Sequence, residues 1–195
     1  MRGRHTMAGR HTFLFTDLVG FTALAASQGD DRAADVALEF YERVRALLPA
    51  HGAREVKTIG DALMLRAEGA ADAIRLGLDI VETLEEVDGF PPVRVGVYTG
   101  PAVSRAGDWY GTTVNVAARL CAAAAGGQVL VGEATAEAAG RLKGAALGER
   151  RLHWLKNVTE PIGAQLATTR RSCPVEGRLR KLKGLLPAGP QEAIP

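Results

Sequence analysis

The sequence predicts an α+β fold, a ferredoxin-like βαββαβ core in which two helices cover one face of an antiparallel sheet. Three observations carry that prediction: short β-prone runs that end near glycine or aspartate, two longer segments whose apolar residues recur near every 3.6 positions, and the order of these segments along the chain. The 195 residues, 47% hydrophobic and 24% charged, suffice for one globular domain with a sizeable core and short tails.

The first strand, residues 12–16, ends at Asp17, and glycine and threonine follow before a helical pattern begins. Over residues 32–48, Val36, Leu38, Phe40, Tyr41, Val44, Leu47 and Leu48 recur with charges between them, and Pro49 and Gly52 end the helix. Residues 55–58 and 62–66 read as strands joined around Ile59-Gly60-Asp61, a hairpin. A second amphipathic helix spans 70–86, with Ile74, Leu78, Val81 and Leu84 along one face, and an alternating strand at 93–98 closes at Thr99-Gly100-Pro101. In such a core the first and third strands are antiparallel neighbours, so Asp17 and Asp61 meet at one edge of the sheet. Beyond Gly111, a helix through Leu120, a strand at 128–131, a helix from Glu133 to about Gly140, and short strands near 146–152 and 162–167 elaborate the core. From about Arg170 the chain turns basic and then rich in proline and glycine, which reads as a mobile, solvated tail. Alternatively, Leu179, Leu182, Leu185 and Leu186 form one amphipathic turn against a partner or an anionic surface.

Charge and cysteine usage exclude several classes. With 24 basic against 22 acidic residues, the formal charge of +2 leaves no footprint for nucleic acid, so an anionic ligand must be met locally. Cys121 lies in an alanine-rich helical pattern and Cys173 in the polar tail, which resembles neither a disulfide framework nor a zinc site and suits a reducing compartment. No apolar stretch approaches the roughly 20 residues that cross a bilayer, and the basic start lacks the apolar region of a secretion signal. The expectation is a soluble, cytoplasmic protein without nucleic-acid or integral membrane contact.

The chemistry starts from Asp17 and Asp61. Two carboxylates held within a few ångströms repel, and unless one protonates a cation must neutralise them. Oxygen-only ligands favour Mg²⁺ or Mn²⁺, which in turn suggests a polyphosphate substrate. Gly20, Phe21 and Thr22, at the turn into the next helix, can bring backbone N–H groups to phosphate oxygens. Taken singly, Asp17 reads as well as a helix cap and Asp61 as a turn residue. A second cluster bears on that choice. Asn115 and Arg119 lie four apart in a helical run, so an amide and a guanidinium project from one face and can hold an anion that develops charge; by themselves they read more readily as a helix-start asparagine and a solvated, salt-bridging arginine. Lys57 and Asp108 supply a donor and an acceptor, a combination that can read a purine edge through a ring nitrogen and an exocyclic amino group.

The runs FTDLVGFT, KTIGDALM, VRVGVYTG and DWYGTTVNVAARL resemble, in order and spacing, the successive motifs of the class III adenylyl/guanylyl cyclase catalytic domain. The resemblance covers residues 11–168, leaving 1–10 as an N-terminal extension and 169–195 as the basic tail. It implies the nucleotide cyclase fold and a head-to-tail homodimer with two sites at the interface. Asp17 and Asp61 of one subunit, with the Leu18 carbonyl, then bind two Mg²⁺ or Mn²⁺ ions. The other subunit supplies Lys57 and Asp108 to read adenine, and Asn115 and Arg119 to stabilise the transition state. Guanylyl members typically carry glutamate and cysteine at the base-reading positions, so the pair here implies ATP, converted to 3′,5′-cyclic AMP and pyrophosphate.

The chain also departs from the pattern. The segment between Gly100 and Asp108 is shorter than in many members, which bears on dimer strength, and Tyr98 stands where histidine is frequent. Lys156 resembles the family's late phosphate-binding lysine, with Asn157 in place of the usual glycine; an ordinary surface lysine is the alternative. The four histidines match no motif position. Two other functions remain open at this level: a catalytically silent nucleotide-binding module of the same fold, and a cyclase that prefers GTP.

Overall fold

A computed structural model describes residues 9–169. The expected basic tail and Cys173, and all but the last two residues of the N-terminal extension, lie outside the described residues. The elements in order are β1 (Arg10–Leu18), α1 (Phe21–Gln28), α2 (Asp30–Leu47), a 3₁₀ turn (Leu48–His51), β2 (Ala53–Ile59), β3 (Ala62–Ala67), α3 (Ala70–Glu85) and β4 (Val93–Pro101). There follow β5 (Val103–Arg105), β6 (Asp108–Tyr110), α4 (Thr112–Ala123), β7 (Val129–Gly132), α5 (Glu133–Ala139), β8 (Ala145–Leu147), β9 (Arg151–His153) and β10 (Ile162–Thr169).

The main sheet runs β2-β3-β1-β4-β7-β10-β8, with β9 paired to β10. Its first four strands are the predicted α+β, ferredoxin-like core, with β1 antiparallel to both β3 and β4. The C-terminal elaboration adds β7 parallel to β4 and then β10 antiparallel to β7. Alternation along β1 divides the core between the two faces of the sheet. Leu14 and Leu18 join Val36, Phe40 and Val44 of α2 and Ile74, Leu78 and Val81 of α3. Phe13 and Phe15 face the other way, against Val114, Ala117 and Cys121 of α4. A side chain such as Phe40, fully buried, contributes about 1.5–3 kcal/mol.

Three local readings change. The first strand continues through Asp17 to Leu18, because β3 pairs with it as far as Asp17–Ala62 and β4 as far as Leu18–Val93. A separate helix, α1, precedes α2; it buries no residue, so its apolar pattern was too weak to read. Leu38, expected on the apolar face of α2, is 58% exposed, since at 100° per residue it falls opposite the stripe of Val36, Phe40 and Val44.

No helix of the described residues is long and apolar enough to cross a membrane.

Candidate active site

The β1–β3 register pairs Asp17 with Ala62, which sets Asp61, in the turn before β3, beside the end of β1. Both carboxylates are partly buried. Burial first, then the negative charge of Asp17, pushes the Asp61 pKa up, while Arg94 works against the rise. Arg94 pairs with Asp17 across the β1–β4 ladder. Its Nε donates to Asp17 Oδ2 at 2.8 Å and its Nη2 donates to the same oxygen. Its Nη1 donates to the Ala122 carbonyl at the end of α4, at 3.1 Å. The Cys121 thiol is pushed up to about 12 by burial first and then by the charge of Asp17, so it is a neutral packing group.

This pair fits a divalent cation. The donors are all oxygen, and the charge of Asp17 raises the cost of ionising Asp61 beside it. The Leu18 side chain lies in the core on the opposite face of the sheet, so only its backbone carbonyl can join the set. Among the described residues no group of three or more His, Cys, Asp or Glu side chains gathers as a metal site. Gly20 adopts φ 82, a left-handed conformation, as it leads into α1. Phe21 and Thr22 open that helix, where the first backbone N–H groups have no intrahelical acceptor.

Lys57 and Asp108 form a second group. Lys57 Nζ donates to Asp108 Oδ2 at 2.5 Å, and the Trp109 N–H donates to Asp108 Oδ1 at 2.7 Å. The hydrogen bond from Lys57 is the main reason that the Asp108 pKa is lowered. A bulge brings Lys57 to this partner. Glu55 opposes Leu65 but Lys57 opposes Met64, so the extra residue, Val56, turns Lys57 to the face that α4 covers, while Glu55 stays on the α2 face. Asp108 belongs to the β5–β6 hairpin, whose two-residue turn has Ala106 at φ 50 and Gly107 at φ 82. This tight hairpin is the short segment noted in the sequence. Trp109 docks it: the Arg66 guanidinium sits 5.3 Å from the ring centroid, and the His11 and Phe13 rings lie 4.3 and 5.5 Å away.

The third group stands on α4. Thr113 Oγ1 donates to the Pro101 carbonyl at 2.6 Å and anchors the start of the helix. Gly96 lets the helix lie directly on β4, since a Cβ there would come within 2.1 Å of the Cys121 backbone nitrogen. Asn115 is exposed and Arg119 partly so, and neither side chain has a hydrogen-bond or ion-pair partner among the described residues. One chain thus brings Asp17, Asp61 and Arg94 together, brings Lys57 and Asp108 together, and leaves Asn115 and Arg119 on the open side of α4. Lys156 is exposed in the loop before β10, next to buried Leu155. Asn157 takes φ 60 there, a conformation that asparagine tolerates better than most residues, which explains how it replaces glycine. Tyr98 is half-buried against Gly132, where a Cβ would meet its ring at 2.3 Å. A bulky ring in place of histidine is thus matched by a glycine on the next strand.

Residues 5–153 match the model of the adenylate and guanylate cyclase catalytic domain. The chain belongs to this family. Among curated relatives of this cyclase domain, an adenylate cyclase of Streptomyces coelicolor is 38% identical over 135 residues, covering 69% of this chain and 35% of that protein. A pH-sensitive adenylate cyclase of Mycobacterium tuberculosis is 41% identical over 129 residues, covering 66% and 32%. The cyclase domain thus spans about a third of the length of these relatives. In fold it is similar to an adenylate/guanylate cyclase/hydrolase from Silicibacter pomeroyi, with TM-score 0.71 and 25% identity over 81% of this chain and 95% of that one. It is also similar to a Trypanosoma brucei adenylate cyclase in its monomeric state, with TM-score 0.72 and 23% identity over 84% and 89%.

Arg94 is a site residue that the motifs do not single out. The signal was present, as a cation flanked by Val93 and Val95 in an alternating strand, whose side chain had to find a partner on the face opposite those valines.

Proposed function

We propose that residues 11–168 form an adenylyl cyclase catalytic domain that converts ATP to 3′,5′-cyclic AMP and pyrophosphate at sites shared between two copies of the chain. The observation that supports this reading is the division of the six motif side chains: a carboxylate pair, a base-reading pair, and an amide with a guanidinium on α4 that have no hydrogen-bond or ion-pair partner among the described residues. A second subunit supplies what each group lacks. A cytoplasmic location accords with ATP as substrate and with the free, buried Cys121 thiol.

In the reaction, the ribose 3′-oxygen bonds to the α-phosphorus as its proton leaves, and the bond from that phosphorus to the bridging oxygen of pyrophosphate breaks. No protein nucleophile is required. Two bound divalent cations, Mg²⁺ or Mn²⁺, supply Lewis acidity and charge neutralisation, and Asp17, Asp61 and the Leu18 carbonyl are the residues that hold them. The backbone N–H groups of Phe21 and Thr22, presented by the Gly20 turn, meet triphosphate oxygens, and the exposed Lys156 adds a cation for them. From the other subunit, Arg119 neutralises charge that grows on the α-phosphoryl oxygens and Asn115 orients the ribose. Lys57 donates to a ring nitrogen of adenine and Asp108 accepts from its amino group. Their mutual ion pair leaves Lys57 two further N–H donors and Asp108 further acceptor sites for the base.

The protein assayed with Mn²⁺ and ATP is expected to produce cyclic AMP, with activity rising faster than linearly at low protein concentration. Nucleotide binding without product from either ATP or GTP would identify a silent module instead. Lys57→Glu combined with Asp108→Cys is expected to move preference toward GTP, read as the ratio of kcat/KM for the two substrates. An unchanged ratio places base reading on other residues.

A further inference from the structure

The turn that carries Asp61 is tied to α2. The Tyr41 hydroxyl donates to the Gly60 carbonyl, the residue immediately before Asp61. Gly60 stands at φ 58 with no atom within 4 Å of a Cβ position, so side-chain packing at Gly60 does not fix the turn from outside. One helical turn on, the Arg45 guanidinium lies 5.5 Å from the centre of the Tyr41 ring. It also forks onto Glu55 of β2 at 2.7 and 3.2 Å. Thr58 Oγ1 donates to the same carboxylate at 2.9 Å. Helix α2 therefore grips the β2–β3 hairpin at two levels: Arg45 holds the strand, and Tyr41 reaches the turn.

We propose that Tyr41 is a positioning residue for Asp61, its hydroxyl fixing the Gly60 carbonyl so that the Asp61 carboxylate is held where a divalent cation binds beside Asp17. The inference rests on the two-carboxylate reading of the site. Burial first, and then the negative charge of Asp61, pushes the Tyr41 pKa up, so the phenol remains a protonated donor at neutral pH. Gly60 and Asp61 form the two-residue turn between the paired Ile59 and Ala62, so a donor from α2 onto the Gly60 carbonyl restrains the peptide plane that leads directly into Asp61.

The test compares the wild-type chain, Tyr41→Phe and Arg45→Met by calorimetry, using 3′-deoxy-ATP, which cannot cyclise, with and without Mn²⁺. Tyr41→Phe keeps the ring under Arg45 and removes the oxygen alone. It is expected to bind the manganese complex about five- to tenfold more weakly. Its affinity for metal-free nucleotide and its Tm are expected to stay unchanged, and its half-saturating Mn²⁺ concentration in turnover to rise by the same factor. Arg45→Met, which loses an exposed fork but retains the hydroxyl, is expected to shift manganese-complex binding by less than about twofold. Equal tightening by Mn²⁺ in wild type and Tyr41→Phe overturns the proposal and leaves the cyclase reading standing. A parallel loss of both affinities together with a lower Tm, or an equal effect of Arg45→Met, reduces Tyr41 to general support and overturns it too. A wild-type chain whose nucleotide affinity Mn²⁺ does not raise removes the carboxylate site itself, and the proposal with it.

Discussion

Asp17→Ala and Arg119→Ala homodimers are each expected to lose activity, by on the order of 10²–10³ for the arginine. An equimolar mixture of the two is expected to recover about a quarter of wild-type activity. The fraction follows from two-fold symmetry: random exchange makes half of the dimers mixed, and in each of these one site carries both lesions while the other carries neither. The expectation rests on the proposed site shared between two subunits, which the cyclase resemblance implies, and the geometry of one chain accords with it. Asp17 is tied to Arg94 at the sheet end, whereas Arg119 projects from α4 without a hydrogen-bond or ion-pair partner among the described residues. Differently tagged variants, copurified and assayed for cyclic AMP, give the measurement. If mixed dimers form and stay inactive, the two residues act in the same subunit's site and the shared arrangement is wrong.

Gly96→Ala is expected to do comparable damage from inside the fold. The added Cβ would lie 2.1 Å from the Cys121 nitrogen, 2.5 Å from the Ala117 oxygen and 2.7 Å from the Cys121 Cα. All three are backbone atoms of a helix, so no rotamer change relieves the clash and α4 must lift from β4. Overpacking of this kind costs about 3 kcal/mol, which for a chain of this size lowers Tm by roughly 6–12 °C. Because α4 also carries Asn115 and Arg119, activity is expected to fall further than stability, even well below Tm. Thermal denaturation alongside the cyclase assay reads both. A variant with wild-type Tm and turnover would mean that α4 does not lie on β4 as described.

Much of this architecture was legible because local pattern and tertiary role coincide. Val36, Phe40 and Val44 repeat at helical spacing because they face the sheet, and the alternation of Leu14 with Phe13 and Phe15 reports a strand buried on both faces. Elements that bury little left little signal. Helix α1 has no buried residue, and β5 and β6, three residues each, depend on a turn with Ala106 at positive φ that composition does not announce. Arg94 was hidden for another reason. A charge in a strand shows that a partner exists but not which one, and only the β1–β4 register identifies Asp17.

By itself, the sequence determined that two aspartates end up side by side: a βαββαβ order makes β1 and β3 antiparallel neighbours, and turn chemistry puts Asp17 and Asp61 at adjoining strand ends. It also determined that Asn115 and Arg119 share a helix face, since helical spacing needs no tertiary information. Which way Lys57 points was decided only by the tertiary structure. Strict alternation from Glu55 would aim it at α2, yet the bulge at Val56 turns it to the α4 face, where Asp108 waits on a hairpin docked by Trp109. A bulge depends on how two distant strands close their hydrogen-bond ladder around the packed core, a balance that no single strand's residues encode.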